Sequence, residues 1–550
     1  MKKLSISGLR STIKSLMGGK PLTNKTALPV VFQNEQIREA AVEVLKPVRK
    51  KRGAVALRRF AGADTTRLNQ DFKPSHYSAD SEIRSSLRIM RGRSRNLFMG
   101  DPYTRGFVNT AIRNIIGPDG VRFKSNVRDG ANNTPDKQAN QKINDGFARW
   151  GKLENASVTK SLTWIDLQRI ICGTVVRDGE IFIRIVRGYD NEFGFALQIM
   201  EADHVDEALT YSIGGKLAKG HRIVMGVEID EWRKVAAYWI RVDHPGDSFV
   251  SSSLNVGRYE RVDAADMIHV YLQERPEQTR GIPWIYVAMN NLNQLHAYGE
   301  AELIAARIGA SKMGFYKAKN PDATFDYDDE DAKDGLITES APGHFDLLPD
   351  GLEFQAWDPQ HPNANLPGFT KAMLRGICSG LGCAYNVLAQ DLEGVNFSSI
   401  RAGTLEERDG WKMLQTFFIQ HCHERVFVAW LEMAILSNMV ALPMSKFDKF
   451  NSPKFRGRRW EWVDPQKDVQ ADAIAVAMCW KTNAQVIEDR GEDPDEVWAE
   501  LQVENKVFSE KGLTQKFPSL IAATNGDDNE EQTGGGKGKD SKPSGAKSRA

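Results

Sequence analysis

The spacing of apolar residues changes character twice along this 550-residue chain. Residues 1–70 are polar and basic, show weak periodicity and read as an extended arm. From Asp101 to Ile116, Phe107, Val108, Ala111, Ile112 and Ile115 recur at helical intervals, and Gly117-Pro118 ends the helix. Val175 to Ile185 reads as a strand, with Ile181, Ile183 and Ile185 alternating against Phe182 and Arg184 beside a turn at Asp178-Gly179. Val235–Val242 and Met267–Leu272 add short strands, so residues 118–280 predict a mixed α/β block with hairpins.

Rod-like helices follow. The spacing predicts a helix opening at Gly281-Ile282-Pro283 and running to about Ser311, with Ile285, Ala288, Leu292, Leu295, Leu303, Ile304 and Ile308 on one side and Glu300 and Glu302 on the other. At 1.5 Å per residue this is a rod of roughly 45 Å. So long a helix with one modest stripe is expected to pack beside other rods. An irregular acidic stretch, Lys317 to Asn365, interrupts the pattern. A second helix is expected over Phe369–Cys383, then a loop over Ala384–Ser399, with Ser398 or Ser399 as helix cap. A third helix runs from Arg401 through Trp411, Leu414, Phe418, His421, Val426 and Trp430 to Leu436. Asp464-Pro465 introduces a helical region, 466–515, with Asp493-Pro494 starting its second helix. Residues 525–550 hold no large apolar residue and predict disorder.

Composition narrows the chemistry. Hydrophobic residues make up 41% and charged residues 26%, as in an ordinary folded protein, and the length calls for two or three structural regions. No window approaches about 18 uninterrupted apolar residues, so no membrane span is expected, and the first residues lack the apolar core of a secretory signal. Five scattered cysteines, Cys172, Cys378, Cys383, Cys422 and Cys479, argue against a disulfide framework and fit a reducing cytoplasm. The net charge of +1 excludes a global pull towards polyanions, although basic clusters occur at Lys46–Arg59 and Arg84–Arg95, and an acidic run at Asp326, Asp328, Asp329, Glu330 and Asp331. There is no phosphate-binding GxxxxGK[ST] loop, no HExxH, no GxSxG and no pair of CxxC knuckles. His421-Cys422-His423-Glu424 is the best metal candidate, but adjacent residues on a helix diverge by about 100°. No metal, cofactor or catalytic residue is therefore expected.

The informative stretch is Leu381 to Leu405, in which Gly380-Leu381-Gly382, Tyr385, Leu388, Asp391 and Asn396-Phe397-Ser398-Ser399-Ile400-Arg401 occur in order. This run resembles the hallmark of lambda-type phage portal proteins, where the aromatic after the asparagine is more often tyrosine. Arg91-Gly92-Arg93-Ser94-Arg95-Asn96, Asp178-Gly179-Glu180, Glu201-Ala202-Asp203, Ile268-His269, Arg280-Gly281-Ile282-Pro283 and Asp464-Pro465 also match that family in order, and the resemblance spans roughly residues 55–510.

The resemblance implies a mixed α+β portal fold assembled as a ring, typically of twelve subunits, around a DNA tunnel. Residues 1–70 would be a basic N-terminal arm and 71–282 an α/β wing. Residues 283–316 and 367–383 would be stem helices flanking a clip at 317–366, with the tunnel loop at 384–399. Residues 400–465 would be a long helix returning to the wing, 466–524 a helical crown and 525–550 a disordered tail. Gln390, Asp391, Glu393 and Asn396 would face DNA, and Asp326, Asp328, Asp329, Glu330 and Asp331 would dock the motor. Leu292 and Leu295 would be buried between rods of neighbouring subunits. The implied partners are double-stranded DNA, bound without sequence preference, the terminase large subunit, major capsid and scaffolding proteins, and neck proteins. The implied location is the unique capsid vertex of the virion, after assembly in the host cytoplasm. Two other readings are another head or tail assembly protein without a conduit, and a viral nucleic-acid-processing enzyme. The second would need clustered metal-binding carboxylates or a phosphate loop.

Overall fold

The structure, a computed structural model, describes residues 75–513 apart from 131–133, 212–216, 219, 248–257, 311–313, 319–351, 357–364, 395 and 461–464. The arm at 1–70, the acidic run Asp326–Asp331 and the tail at 525–550 lie outside the described residues. The elements below belong to the unit Tyr77–Ala550.

Two capped helices open it. Helix α1 (Ala79–Gly100) starts where the Ser78 side chain accepts from the Ser81 N–H, and buries Ile83, Leu87, Arg91 and Ser94 along one stripe. Helix α2 (Pro102–Ile115) is capped by Asp101, which accepts from the Thr104 N–H at 2.6 Å, and it realises the helix expected over 101–116. Strand β1 (Arg122–Ser125) and helix α3 (Lys137–Trp150) follow. Helix α4 (Trp164–Asp178) begins with a reciprocal Thr163–Asp166 capping box and ends at Gly179, which is left-handed at φ 92°. The strand expected from Val175 is therefore corrected, since Val175–Asp178 is the last turn of α4. Its cap and the burial of Leu167, Ile171 and Val175 outweigh the β preference of the valines.

Strand β2 (Glu180–Arg187) is the centre of an antiparallel sheet, between β3 (Phe195–Met200) and β8 (Met267–Tyr271), with Ile183 opposite both Ile199 and Ile268. A second antiparallel sheet runs in the order β4 (Arg222–Val224), β5 (Val227–Ile229), β6 (Val235–Arg241) and β7 (Tyr259–Asp263). Both faces of β2 are covered: Ile181, Ile183 and Ile185 enter the main core, and Phe182 enters a second core with Val227, Tyr238 and Val262.

The first rod begins later than expected, as α5 (Met289–Ala310), because the chain is pinned before it can coil. The Gly281 N–H is bound by Glu180 at 2.9 Å and the Trp284 N–H by the Val176 carbonyl at 3.1 Å, leaving turns up to Ala288. Strands β9 (Gly314–Ala318) and β10 (Leu352–Ala356) pair antiparallel, so the segment expected to be irregular from Lys317 to Asn365 includes the end of one strand and all of the other in a two-stranded ribbon. Helix α6 (Leu366–Leu381) ends at left-handed Gly382. Leu292 and Leu295 are buried with Leu374 and Ile377 in this chain's own core, so they are not free to form the expected contact between subunits; Leu303 and Ile304, at 53% and 55% exposure, are the exposed part of that stripe.

The expected loop over 384–399 is shortened at both ends. Helix α7 (Tyr385–Ala389) occupies its start, and α8 (Phe397–Phe418) begins early enough to place Ser398 and Ser399 inside its first turn, not at its cap. The third rod is also not one continuous α-helix: Ile419–His423 forms a π-helical turn before α9 (Glu424–Leu436). Phe427 and Trp430 of α9 pack against Phe147 and Trp150 of α3, with ring centroids 4.9–6.5 Å apart. Strand β11 (Pro453–Arg456) pairs with β1. Three helices close the described chain, α10 (Pro465–Ala477), α11 (Asn483–Asp489) and α12 (Pro494–Glu510). Charged contacts tie them to the β1–β11 pair, as Lys124 Nζ lies 2.5 Å from Asp493 and Lys454 Nζ lies 2.7 Å from Glu488. No helix among the described residues is long and apolar enough to cross a membrane.

Candidate functional site

The motif stretches dispersed through the first half of the sequence converge on one buried ionic knot. Its centre is Glu180, the first residue of β2, with no solvent exposure. Arg280 donates to it through Nη2 at 2.7 Å and through Nε at 2.9 Å, and spends its remaining donors on the carbonyls of Val205, Met225 and Ala202. Arg91, from α1, reaches the same carboxylate at 2.8 Å, and His269 Nε2 lies 2.9 Å away from its other oxygen. Arg95, one turn beyond Arg91, bridges Asp178 at 2.8 Å and Asp203 at 2.6 Å.

Burial opposes the charge on Glu180, yet Arg280, His269 and Arg91 hold its carboxyl far below the usual carboxylate range. Burial also pushes His269 below the ordinary imidazole value in spite of Glu180, so the neutral ring donates its Nε2–H to the carboxylate. Two glycines make the geometry possible. A Cβ on Gly179 would lie 2.2 Å from the Ile282 carbonyl carbon, and one on Gly281 would lie 2.2 Å from the Gly179 carbonyl oxygen. Only residues without side chains let α4–β2 and the Arg280–Pro283 segment touch backbone to backbone. The knot is therefore a lock between α1, β2, β8 and the start of the rods, in which every donor of Arg280 is matched, while Nε and Nη1 of Arg91 have no hydrogen-bond partner among the described residues.

The Gln390–Asn396 loop is different. Gln390 is left-handed at φ 53°, with its side-chain amide donating to the Val387 carbonyl at 2.7 Å. Asp391 accepts from Tyr385 Oη at 2.8 Å and from the Glu393 N–H at 2.9 Å, and the Glu393 N–H followed by Tyr385 holds its carboxyl below the usual range. Lys371 of α6 lies 2.9 Å from Glu393 and 3.3 Å from Asp391. The two carboxylates are thus not bare negative charges: one cation stands between them. The Asn396 carbonyl accepts the Ile400 N–H at 3.1 Å as α8 begins, and Arg401 links α8 to Asp468 of α10 at 3.2 Å. Phe397, Ser398 and Ser399 contribute backbone to the first turn of α8.

The His421–Glu424 run gathers no metal-binding set. It falls on the π turn, with His421 and Glu424 exposed and Cys422 and His423 buried. The His423 Nδ1 lies 3.0 Å from the Phe418 carbonyl, and burial beside Trp164 and Phe455 pushes its pKa down to about 4. Among the described residues, ligand atoms of Glu201, Asp203 and His244 lie within 4.8 Å of one another, but the positive charge there is Arg95, 3.3 Å from Glu201 and 2.6 Å from Asp203. Cys378 and Cys383 approach at the end of α6, where the Cys383 N–H donates to the Cys378 carbonyl at 3.2 Å, and both are free thiols.

The sequence matches the profile of the phage portal proteins of the lambda family over residues 65–415. It is 34% identical over 483 residues to a probable portal protein of Halomonas phage phiHAP-1, covering 87% of this chain and 92% of that protein. It is 24% identical over 332 residues to portal protein B of Escherichia phage lambda, covering 54% of this chain and 60% of that protein. Among solved structures, a chain from the virion of a native gene transfer agent particle is similar at a TM-score of 0.41 and 13% identity, covering 78% of this chain and 98% of that one. The chain belongs to the lambda family of phage portal proteins.

Proposed function

We propose that this chain is a non-enzymatic subunit of a closed ring, of twelve copies, through which double-stranded DNA enters and leaves a tailed-phage head at its unique vertex. The observation that carries this reading is the family match over residues 65–415, which spans α1 to α8. Residues 71–282 serve as the wing, α5 and α6 as stem rods, and the segment on the β9–β10 ribbon as the clip. The loop at 390–396 faces the bore, and α10–α12 form the crown.

The loop suits sliding. Asp391 and Glu393 repel phosphates, Lys371 tempers them, and Gln390 and Asn396 offer short-lived contacts without base specificity. Energy for packaging comes from a separate motor, the terminase large subunit, which the acidic run Asp326–Asp331 receives; capsid, scaffolding and neck proteins meet the outer surfaces. Removing Glu393, Gly394 and Val395 should leave closed rings in electron micrographs and lower the DNA retained in heads. Loss of rings would take this loop out of the bore. Replacing Asp328, Asp329, Glu330 and Asp331 by serine should weaken motor binding most at low salt, and salt-independent, unchanged binding would remove that role.

A further inference from the structure

Helix α6 ends on two cysteines that its own cap brings together. The Cys378 carbonyl accepts the N–H of Gly382, left-handed at φ 67°, and the N–H of Cys383 at 3.2 Å. This reversal turns the residue after the glycine back over the last helical turn. The Cys383 thiol donates a hydrogen bond to the Cys378 sulfur, which holds the Cys378 thiol below its usual range. The same bond to Cys378, with burial added, pushes the Cys383 thiol up. Cys378 is buried, Cys383 is half-buried, and neither is in a disulfide. Ser379, Gly380, Leu381 and Gly382 alone separate them, and the two glycines let so short a ring close.

Another pair of thiols shows what is special here. Cys172 of α4 lies beside Cys422 of the π turn, and both are enclosed in the main core. Burial raises both thiols, that of Cys422 to about 12, so neither forms a thiolate near neutral pH and no reagent reaches them. The pair at the end of α6 has a shared proton, a half-exposed sulfur and a place at a junction. Cys383 leads directly into α7, where the Tyr385 ring lies 5.6 Å from the Arg375 guanidinium of α6. The Tyr385 hydroxyl in turn donates to Asp391 at 2.8 Å. The loop at 390–396 therefore hangs from α6 through this junction.

We infer that Cys378 and Cys383 form a thiol–disulfide switch that fixes the base of the loop once the chain leaves a reducing cytoplasm. The oxidant is a low-molecular-weight disulfide. The half-exposed Cys383 sulfur gives up its proton and attacks it. A bond forms between Cys383 and one half of the oxidant, the oxidant's own S–S bond breaks, and the other half leaves as a thiol. Cys378 then gives up its proton and attacks the Cys383 sulfur, so that the mixed S–S bond breaks and a second thiol leaves. The two cysteines have lost two electrons and two protons, and the two halves of the oxidant have gained them. The closed ring ties the last turn of α6 to the entry of α7, so the junction no longer opens freely. The chemistry stands on these two side chains, and its use in a particle rests on the portal reading.

The test uses the full-length, unaltered chain equilibrated with reduced and oxidised glutathione, trapped by alkylation and mapped by mass spectrometry. Trypsin releases the peptide Gly376–Arg401, which holds both cysteines and no other. It should lose both thiols together, carry no glutathione and regain both on reduction, while Cys172 and Cys422 stay reduced. Hydrogen exchange over Tyr385–Glu393 should slow on the order of tenfold on closure and recover with reductant. Cys378→Ser should instead keep glutathione on Cys383, and the unaltered chain decides the matter alone should that variant fail to fold. Three results would each overturn the switch. They are a glutathione adduct that persists on Cys383 of the unaltered chain, two free thiols where the exposed Cys479 is fully modified, and loop exchange unchanged by closure. Electron microscopy of rings, which tests the portal reading, fails or succeeds independently of these measurements.

Discussion

Arg280 and Arg458 both sit among other arginines, yet their surroundings differ in the ratio of charges. Around Arg280, Glu180, Asp178 and Asp203 balance Arg91, Arg95 and Arg280, and backbone carbonyls take the remaining donors of Arg280. Around Arg458, five further arginines line an open cleft, and the donors of Arg458 itself go to neutral groups, the Arg113 carbonyl and the Asn114 side-chain oxygen. Desolvating a guanidinium is tolerable only where its charge is answered within the fold, so the first cluster is a lock. The second cluster lines an open cleft, where water shares the charge. Both have the same chemistry, and stoichiometry and depth separate their roles.

The largest effect should come from breaking the lock. Glu180→Ala leaves Arg91 and Arg280 buried against each other without their common carboxylate. The expected cost is about 3–5 kcal/mol, seen as a lower urea midpoint. An unchanged midpoint would mean that the knot tolerates its own imbalance and that the contrast with the cleft is false.

A smaller effect follows from geometry alone. Arg280→Lys keeps the charge beside Glu180 but cannot reach two carboxylate oxygens and three carbonyls at once. The stranded carbonyls and the lost fork should cost about 2–3 kcal/mol. Full stability with lysine would show that only the charge matters in the knot.

Acid should weaken both the knot, through His269 and Glu180, and the core around the π turn, through His423, and leave the cleft's charge alone. His269 and His423 are held below the ordinary imidazole value, so the unfolded chain binds their protons first. Their contribution is complete above about pH 6.5 and is lost as pH falls, for His423 down to about 4. The loss is about 1.4 kcal/mol per pH unit for each proton. Glu180, whose folded pKa is depressed, adds a further loss below about pH 4.5, where the unfolded carboxylate begins to take up protons. His423→Gln should flatten the pH dependence of the urea midpoint between 6.5 and 4. A slope as steep as that of the unaltered chain would clear His423 of this role.

Much of the architecture was legible from periodicity. The α2 helix, the β6 and β8 strands, the end of α6 near Gly382 and the helix start at Asp493 all follow from local spacing and capping residues. Failures occurred where distant contacts override local preference. Val175 and Val176 look like strand residues but complete α4, and the expected start of a helix at Pro283 is pinned by Glu180 and Val176. The π turn at 419–423 has no local signal in its apolar spacing. Asp178-Gly179-Glu180 and Arg280-Gly281 were visible as motifs, but their meeting was not, because pairing across 100 positions leaves no periodic trace. A charged residue next to a glycine inside an apolar run was the available clue. The cleft left even less, since its arginines come from stretches ranging from Arg122 to Arg490.

The smallest expected effect tests the cleft's side of the comparison. Arg459 is exposed, and its neighbours in the cleft supply like charges. Nothing in the fold depends on its fork as Glu180 depends on that of Arg280. Arg459→Lys should therefore leave the urea midpoint within experimental error, because a solvated cation replaces a solvated cation. A midpoint lowered by lysine would mean that the fold holds the Arg459 fork as strictly as that of Arg280, and depth alone would no longer separate the two clusters.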